Sequence, residues 1–163
     1  MTTISPPPSK IYLLRHAKAQ HAAPGQRDFD RPLSDDGYAA AEIVADKAAD
    51  KDYRPDLVIC STALRCRQTA DALRRAMTPP PEFRFVDALY NATPDVYLEI
   101  ISSQATEGSV MLVGHNPVIE QTLEALIGHD ALVGALPGGF PTAGLAVIDA
   151  TSSGWILTEF ITE

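Results

Sequence analysis

The residues of this 163-residue chain best suited to chemistry are two histidines and two arginines, each just beyond a short apolar run. Arg15 and His16 follow the run 11–14, Arg65 lies in the polar stretch after 57–60, and His115 with Asn116 follows 110–113. A neutral imidazole is a good nucleophile toward phosphorus and can carry a covalent phosphoryl group, which divides one hard hydrolysis into two easier transfers. Its ordinary pKa is about 6.5, and nearby guanidinium groups disfavour its protonation, so an attacking nitrogen is available at neutral pH. Arginine presents a planar fork of donors that fits non-bridging phosphate oxygens. The transferred group spreads negative charge over its equatorial oxygens, so positioning and preorganised positive charge carry most of the catalysis. Two imidazoles and two or more guanidinium groups on one spot therefore suit a phosphoryl group.

Local signals strengthen two of these positions. Arg65 falls in the first turn of the helix expected after Thr62, where a cation opposes the macrodipole unless an anion is held there. Asn116 before Pro117 reads as an N-cap followed by an N1 residue, so the next helix presents free N–H groups to the same region. The remaining candidates have plainer explanations. His21 and His129 read as structural or surface residues, and Arg67, Arg74 and Arg75 as a solvated helix face. Cys60 and Cys66 match neither a redox pair nor a zinc site and read as two buried thiols. A metal site of His16, His115 and a cysteine would lack any short ligand spacing, so no metal is expected. No P-loop is present, and Gly138, Gly139 and Gly144 read as turn punctuation.

The elements that must bring the four residues together alternate. Strand-type runs at 11–14, 57–60, 84–87 and 110–113 are separated by helical stretches after Ser34, after Thr62, over 94–104 and over 118–127. Ser34 caps the first helix, Leu33 and Tyr38 sit at staple spacing, and Ala39, Ala40, Ile43, Val44 and Ala48 form its expected apolar stripe. Residues 132–141, apolar but rich in Gly and Pro, read as a shaped loop that either walls the pocket or covers the core. Strands near 145–150 and 155–161 flank Ser152, Ser153 and Gly154 as a hairpin. The pattern predicts an α/β fold, a three-layer sandwich with a mainly parallel central sheet, helices on both faces and a C-terminal antiparallel hairpin. In such a sheet ligands bind beyond the carboxyl ends of the strands, where the four residues fall.

Composition sets the bounds. The length suits one domain, expected over 10–163 after a flexible proline-rich tail at 1–9. The 13 Lys and Arg against 21 Asp and Glu give a net charge of −8, which opposes nucleic acid and anionic membranes at long range. Any anionic substrate must then be captured by a local cationic pocket. The first residues show neither a basic n-region nor an apolar h-region, so a cytoplasmic setting is expected.

Four segments in order resemble the histidine phosphatase superfamily, the phosphoglycerate mutase-like group, and within it the SixA-type phosphohistidine phosphatases. Residues 13–17, Leu-Leu-Arg-His-Ala, resemble its strand-terminal Arg-His-Gly signature with Ala for Gly; residues 31–37 resemble the loop and cap of the first helix; residues 61–70 resemble Ser-x-x-x-Arg-Ala-x-Gln-Thr-Ala; and 113–116 resemble the second histidine motif. The resemblance implies that His16 accepts the phosphoryl group, that Arg15 and Arg65 clamp it, and that His115 donates a further hydrogen bond. Asn116 would contribute its backbone and cap, Gln68 and Thr69 packing and helix entry, and no cofactor is implied.

One departure bears on the leaving group. Many members carry a Glu as proton donor shortly after the third strand, whereas this chain reads Val86-Asp87-Ala88-Leu89-Tyr90. Asp87 could substitute if it faces the pocket with a raised pKa, although strand-end aspartates more often cap or face solvent. Otherwise the site does without a strong acid, which favours phosphohistidine, because a phosphoramidate departs readily once its ring nitrogen is protonated. Shortness agrees, since an uncapped pocket admits a phosphorylated protein. The expected activity is a metal-independent phosphatase using a phosphohistidine intermediate. The alternatives are a phosphomonoesterase or mutase of a small metabolite and a non-catalytic phospho-ligand binding module.

Overall fold

The computed structural model describes residues 8–104 and 108–163. Its six strands are β1 (Lys10–Arg15), β2 (Leu57–Ser61), β3 (Glu82–Val86), β4 (Ser109–Gly114), β5 (Leu145–Thr151) and β6 (Gly154–Ile161). The helices are α1 (Asp35–Asp50), α2 (Leu64–Ala76), α3 (Pro94–Ser103), α4 (Val118–Ile127) and α5 (His129–Ala135). One sheet runs in the order β3-β2-β4-β1-β5-β6. The first four of these strands are mutually parallel, and β5 joins β1 and β6 by antiparallel pairing. Both β2 and β4 are buried along their whole length, as continuous apolar runs covered on two faces must be.

The chirality of crossovers explains the layers. The chain moves from β1 through α1 to β2 and through α2 to β3 in one direction, then returns through α3 to β4 in the other. Right-handed connections therefore put α1 and α2 on one face and α3 on the opposite one. The side chains agree. Tyr12 and Leu14 of β1 pack with Val44, Ala48, Cys66 and Leu73. Ile11 and Leu13 point the other way, onto Tyr97, Ile101, Ile119 and Leu123. Neighbouring strands β1 and β4 thus send their connections to opposite faces, and the gap between their carboxyl ends is the topological switch point where α/β sheets bind ligands.

Some local expectations are corrected. The buried stripe of α1 is Gly37, Ala40, Ala41, Val44, Ala45 and Ala48, whereas Ala39 and Ile43 face solvent. Packing of Gly37 against the turn after His16 sets this rotation: a Cβ there would lie 2.1 Å from the Lys18 carbonyl oxygen. Ser34 caps α1 as its sequence predicts, its hydroxyl accepting the Gly37 N–H at 3.0 Å. Residues 132–135 of the expected loop belong instead to α5, which starts at His129, because Leu132 is drawn into the core, and this burial outweighs the weak helix propensity of Gly134. Residues 1–7 of the expected tail lie outside the described residues. Pro8 is buried, and Ser9 bonds Gly108 and Ala150, continuing the main-chain bonding just before β1.

Candidate active site

Arg15 and His16 sit at the end of β1, fixed by main-chain bonds on both sides. The Arg15 N–H donates to Gly144 O, the His16 N–H donates to Gly114 O, and the His16 carbonyl accepts the Ala143 N–H. Thr69 on α2 completes the frame: its buried hydroxyl accepts the Ala17 N–H at 3.0 Å and donates to Arg65 O at 2.8 Å. Gln68 accepts the Leu33 N–H at 2.8 Å and ties the loop before α1 to the same helix. These two residues, expected to serve packing and helix entry, are thus hydrogen-bonded struts between the β1 turn and α2.

The tautomer of His16 follows from its neighbour. Its Nδ1 lies 2.7 Å from the Ala17 carbonyl oxygen, which can only accept, so Nδ1 carries the proton and Nε2 presents a lone pair. Burial, reinforced by His115, Arg65 and Arg15, pulls its pKa down to about 3, so the ring is neutral at pH 7. The His16 and His115 ring centroids are 5.4 Å apart.

His115 continues from β4, and its backbone N–H donates to the Tyr97 hydroxyl at 3.2 Å. Tyr97, fully buried on α3, donates in turn to Leu89 O at 3.0 Å. Gly114 makes room for this phenol, since a Cβ there would lie 2.3 Å from its oxygen. Arg65 Nη2 lies 3.3 Å from His115 Nδ1, and guanidinium nitrogen can only donate, so Nδ1 accepts and Nε2–H donates to the Ser61 hydroxyl at 2.8 Å. Burial and then Arg65 lower the His115 pKa to about 4. Cys66 Sγ lies 3.5 Å from His115 Nε2; both cysteines are buried, and burial pushes the Cys66 thiol up to about 12.

Arg65, in the first turn of α2, is 7% exposed and does have an anion beside it. That anion is Asp28, from the loop before α1. Arg65 Nη1 donates to Asp28 O at 2.9 Å and Nη2 to the carboxylate at 3.0 Å. Tyr90 donates to the same carboxylate at 2.7 Å and Arg31 at 2.9 Å. These bonds, Tyr90 first, hold Asp28 far below the usual carboxylate range, so it stays ionised. Arg15 Nη1 donates to Phe140 O at 2.7 Å, while its buried Nε has no partner among the described residues.

Around these groups lies a cavity of about 720 Å³ lined by Arg15, His16, Arg65 and His115 together with Lys18 and Tyr90. Asn116 lines it too; α4 begins at Val118 as its sequence predicts, but Pro117 rather than Asn116 occupies the N-cap position. The Asn116 side chain accepts the Glu120 N–H at 3.2 Å and donates to Phe140 O at 3.3 Å, so it fastens the start of α4 to the segment that holds Arg15. Asp87 does not line the cavity. It is exposed, and its carboxylate accepts from the Thr62 hydroxyl at 2.6 Å, a side-chain bond at the surface. The 132–141 segment also stays off the lining; Phe140 is buried and its carbonyl anchors Arg15. No Asp or Glu is among the lining residues, and among the described residues no three His, Cys, Asp or Glu group to hold a metal ion. Nor is any described helix long and apolar enough to cross a membrane.

The arrangement brings two histidines and two arginines together around one cavity at the switch point of a mainly parallel sheet. The profile of the histidine phosphatase superfamily (branch 1) matches residues 11–90. A protein from Agrobacterium tumefaciens, assigned as the phosphohistidine phosphatase SixA, has a crystal structure 55% identical to this chain, with a TM-score of 0.92 over 96% of this chain and 99% of that one. A protein of the same assignment from Nakamurella multipartitia is 29% identical, with a TM-score of 0.78 over 95% and 97% of the two chains. An uncharacterized protein of Mycobacterium tuberculosis is 34% identical over 140 residues, 83% of this chain and 85% of its own. The chain belongs to the histidine phosphatase superfamily and is a phosphatase.

Proposed function

We propose that the enzyme removes the phosphoryl group from phosphohistidine in a protein, through a covalent intermediate on His16. The observation that carries this is the acid-free cavity: two imidazoles held uncharged and no carboxyl group on the lining. An alkyl phosphate leaves as an alkoxide and needs an acid beside it. Asp28 cannot supply a proton because it is held ionised, and Asp87 is outside the cavity. A phosphohistidine whose second ring nitrogen is protonated brings its own proton.

The steps then balance without an enzyme acid. His16 Nε2 attacks phosphorus; the bond to the substrate imidazole breaks, and its electron pair returns to a ring that departs neutral. His16 now carries the phosphoryl group on Nε2 and keeps the proton on Nδ1, so its ring is cationic and bonded to the Ala17 carbonyl. One phosphorus–nitrogen bond has replaced another of the same kind. Water attacks next, the pair returns to Nε2, and dihydrogen phosphate leaves a neutral His16. Arg15 and Arg65 meet the equatorial oxygens. The assignment of the Agrobacterium relative supports the same substrate.

A substrate panel tests the proposal. A phosphohistidine protein should exceed sugar phosphates and phosphoglycerates in kcat/KM by a hundredfold or more, on the order of the contribution of an acid the site lacks. Equal or faster turnover of the small phosphate esters would overturn it.

A further inference from the structure

The chain has four lysines, and three are engaged: Lys10 with Asp149, Lys51 with Glu159 and Lys47 with Thr162 O. Lys18 alone has no side-chain hydrogen bond or ion pair among the described residues, and it lines the catalytic cavity. Its backbone is nevertheless fixed. The Lys18 carbonyl accepts both the Ser34 N–H and the Ser34 hydroxyl, and its main chain packs directly on Gly37. A rigid base thus carries an uncommitted ammonium at the mouth of the pocket, two residues beyond His16.

Each of the other lining cations has a protein acceptor. Arg15 holds Phe140 O, Arg65 holds Asp28, and Arg31 holds Asp28 together with Gln20 O. The remaining polar lining, which includes Asn91, Thr93 and Gln121, is uncharged. The cavity is of the size that receives a small organic ligand, so a substrate extends well past its phosphoryl group. Its part on the Lys18 side meets unneutralised positive charge, although the chain as a whole is at −8.

We infer that Lys18 forms a second anion subsite and selects, among phosphohistidine substrates, those with an acidic side chain flanking the phosphorylated residue. This rests on the phosphohistidine activity proposed above. The chemistry recognised is a second anion close to the phosphoryl group, from a flanking Glu or Asp or from a carboxylate on a small molecule. The selection is local, since charges more than about 8 Å apart are largely screened at physiological salt.

Two measurements on the full-length enzyme test it and separate it from the activity itself. In the first, kcat/KM is compared for two phosphohistidine peptides that differ only by Glu or Gln beside the phosphorylated residue, with wild type, Lys18→Met and Lys18→Glu. Wild type should favour the acidic peptide by about 5-fold, the upper range of one partly exposed ion pair; Lys18→Met should abolish the preference and Lys18→Glu invert it. In the second, titration calorimetry compares methylphosphonate with phosphonoacetate, and the added carboxylate should tighten binding about 5-fold only when Lys18 is present. A preference unchanged by Lys18→Met, or equal losses for both peptides and both phosphonates, would overturn the subsite. If no phosphohistidine peptide is turned over yet the phosphonate preference depends on Lys18, the anion subsite stands and the substrate assignment falls. A Lys18-dependent phosphonate preference without one between the peptides assigns the anion to a small molecule and overturns the flanking-residue claim.

Discussion

The floor and the rim of the cavity are built in opposite ways. On the floor, His16 and His115 are each bonded through backbone and ring, Arg65 is 7% exposed and doubly held by Asp28, and the β1 turn is tied to α2 through Thr69. At the rim, Lys18 is exposed and uncommitted, and Asn91 has a positive φ of 56° in the loop that follows Tyr90. The floor is therefore arranged before substrate arrives, which is what stabilising a charge-spread transition state requires. The rim has free valences, which is what discriminating among leaving groups requires. Chemistry and selectivity are separated in space within one pocket, and substitutions in the two zones should fail differently.

The largest effect should come from the floor. His16→Ala should reduce turnover of a phosphohistidine substrate by ~10⁴-fold or more, measured in single-turnover assays, because the nucleophile is lost and only binding remains. Arg65→Ala should cost about 10²- to 10³-fold in kcat, the range for deleting one charged transition-state donor. Arg65→Lys should recover only part of this, because one ammonium replaces the two nitrogens that hold Asp28.

Acid titration examines the same preorganisation without mutation. His16 and His115 have folded pKa values of about 3 and about 4, below their ordinary 6.5, so over that interval the unfolded chain binds more protons than the fold. Their contribution to stability is complete above pH 6.5 and lost as pH falls toward 4 and then 3. Thermal midpoints recorded across this window should drop, and His16→Asn should flatten part of the slope; identical profiles would mean the rings are not held neutral.

Smaller effects should follow from the supports. Thr69→Val removes the acceptor for the Ala17 N–H and should destabilise the fold by about 1–3 kcal/mol, seen as a lower Tm and roughly tenfold slower turnover. Asp87→Asn should change kcat/KM by less than about twofold, since weakening one exposed side-chain hydrogen bond is a local surface change. A loss of a hundredfold there would restore Asp87 as the acid and remove the main ground for a phosphohistidine substrate.

The sheet was legible because strand and helix alternate with clear stops, and the right-handed crossover rule converts that alternation into layers. Arg15, His16, Arg65 and His115 were legible for the same reason, each standing just beyond the end of a run that had to be a strand. Asp28, Tyr90 and Tyr97 were not. They come from a loop, a turn and a buried helix face, and no spacing relates them to the histidines. Tyr97 is a core residue whose hydroxyl stands between the His115 N–H and Leu89 O, a placement no periodicity reports. Residues 132–135 read as loop because Gly and Pro near them signal turns locally, whereas burial of Leu132 is decided by packing at a distance. The oddity of Arg65 in a first helical turn did point to a neighbouring anion, and Asp28 is the one the fold itself supplies.

The most direct test of the account is to trap the intermediate. The enzyme is mixed briefly with a ³²P-labelled phosphohistidine protein, quenched in base, and the labelled peptide is identified by mass spectrometry. Label on the peptide containing His16, acid-labile and absent from His16→Ala, is the predicted result. Rapid turnover with no labelled enzyme at any time, or label that persists in His16→Ala, would contradict it.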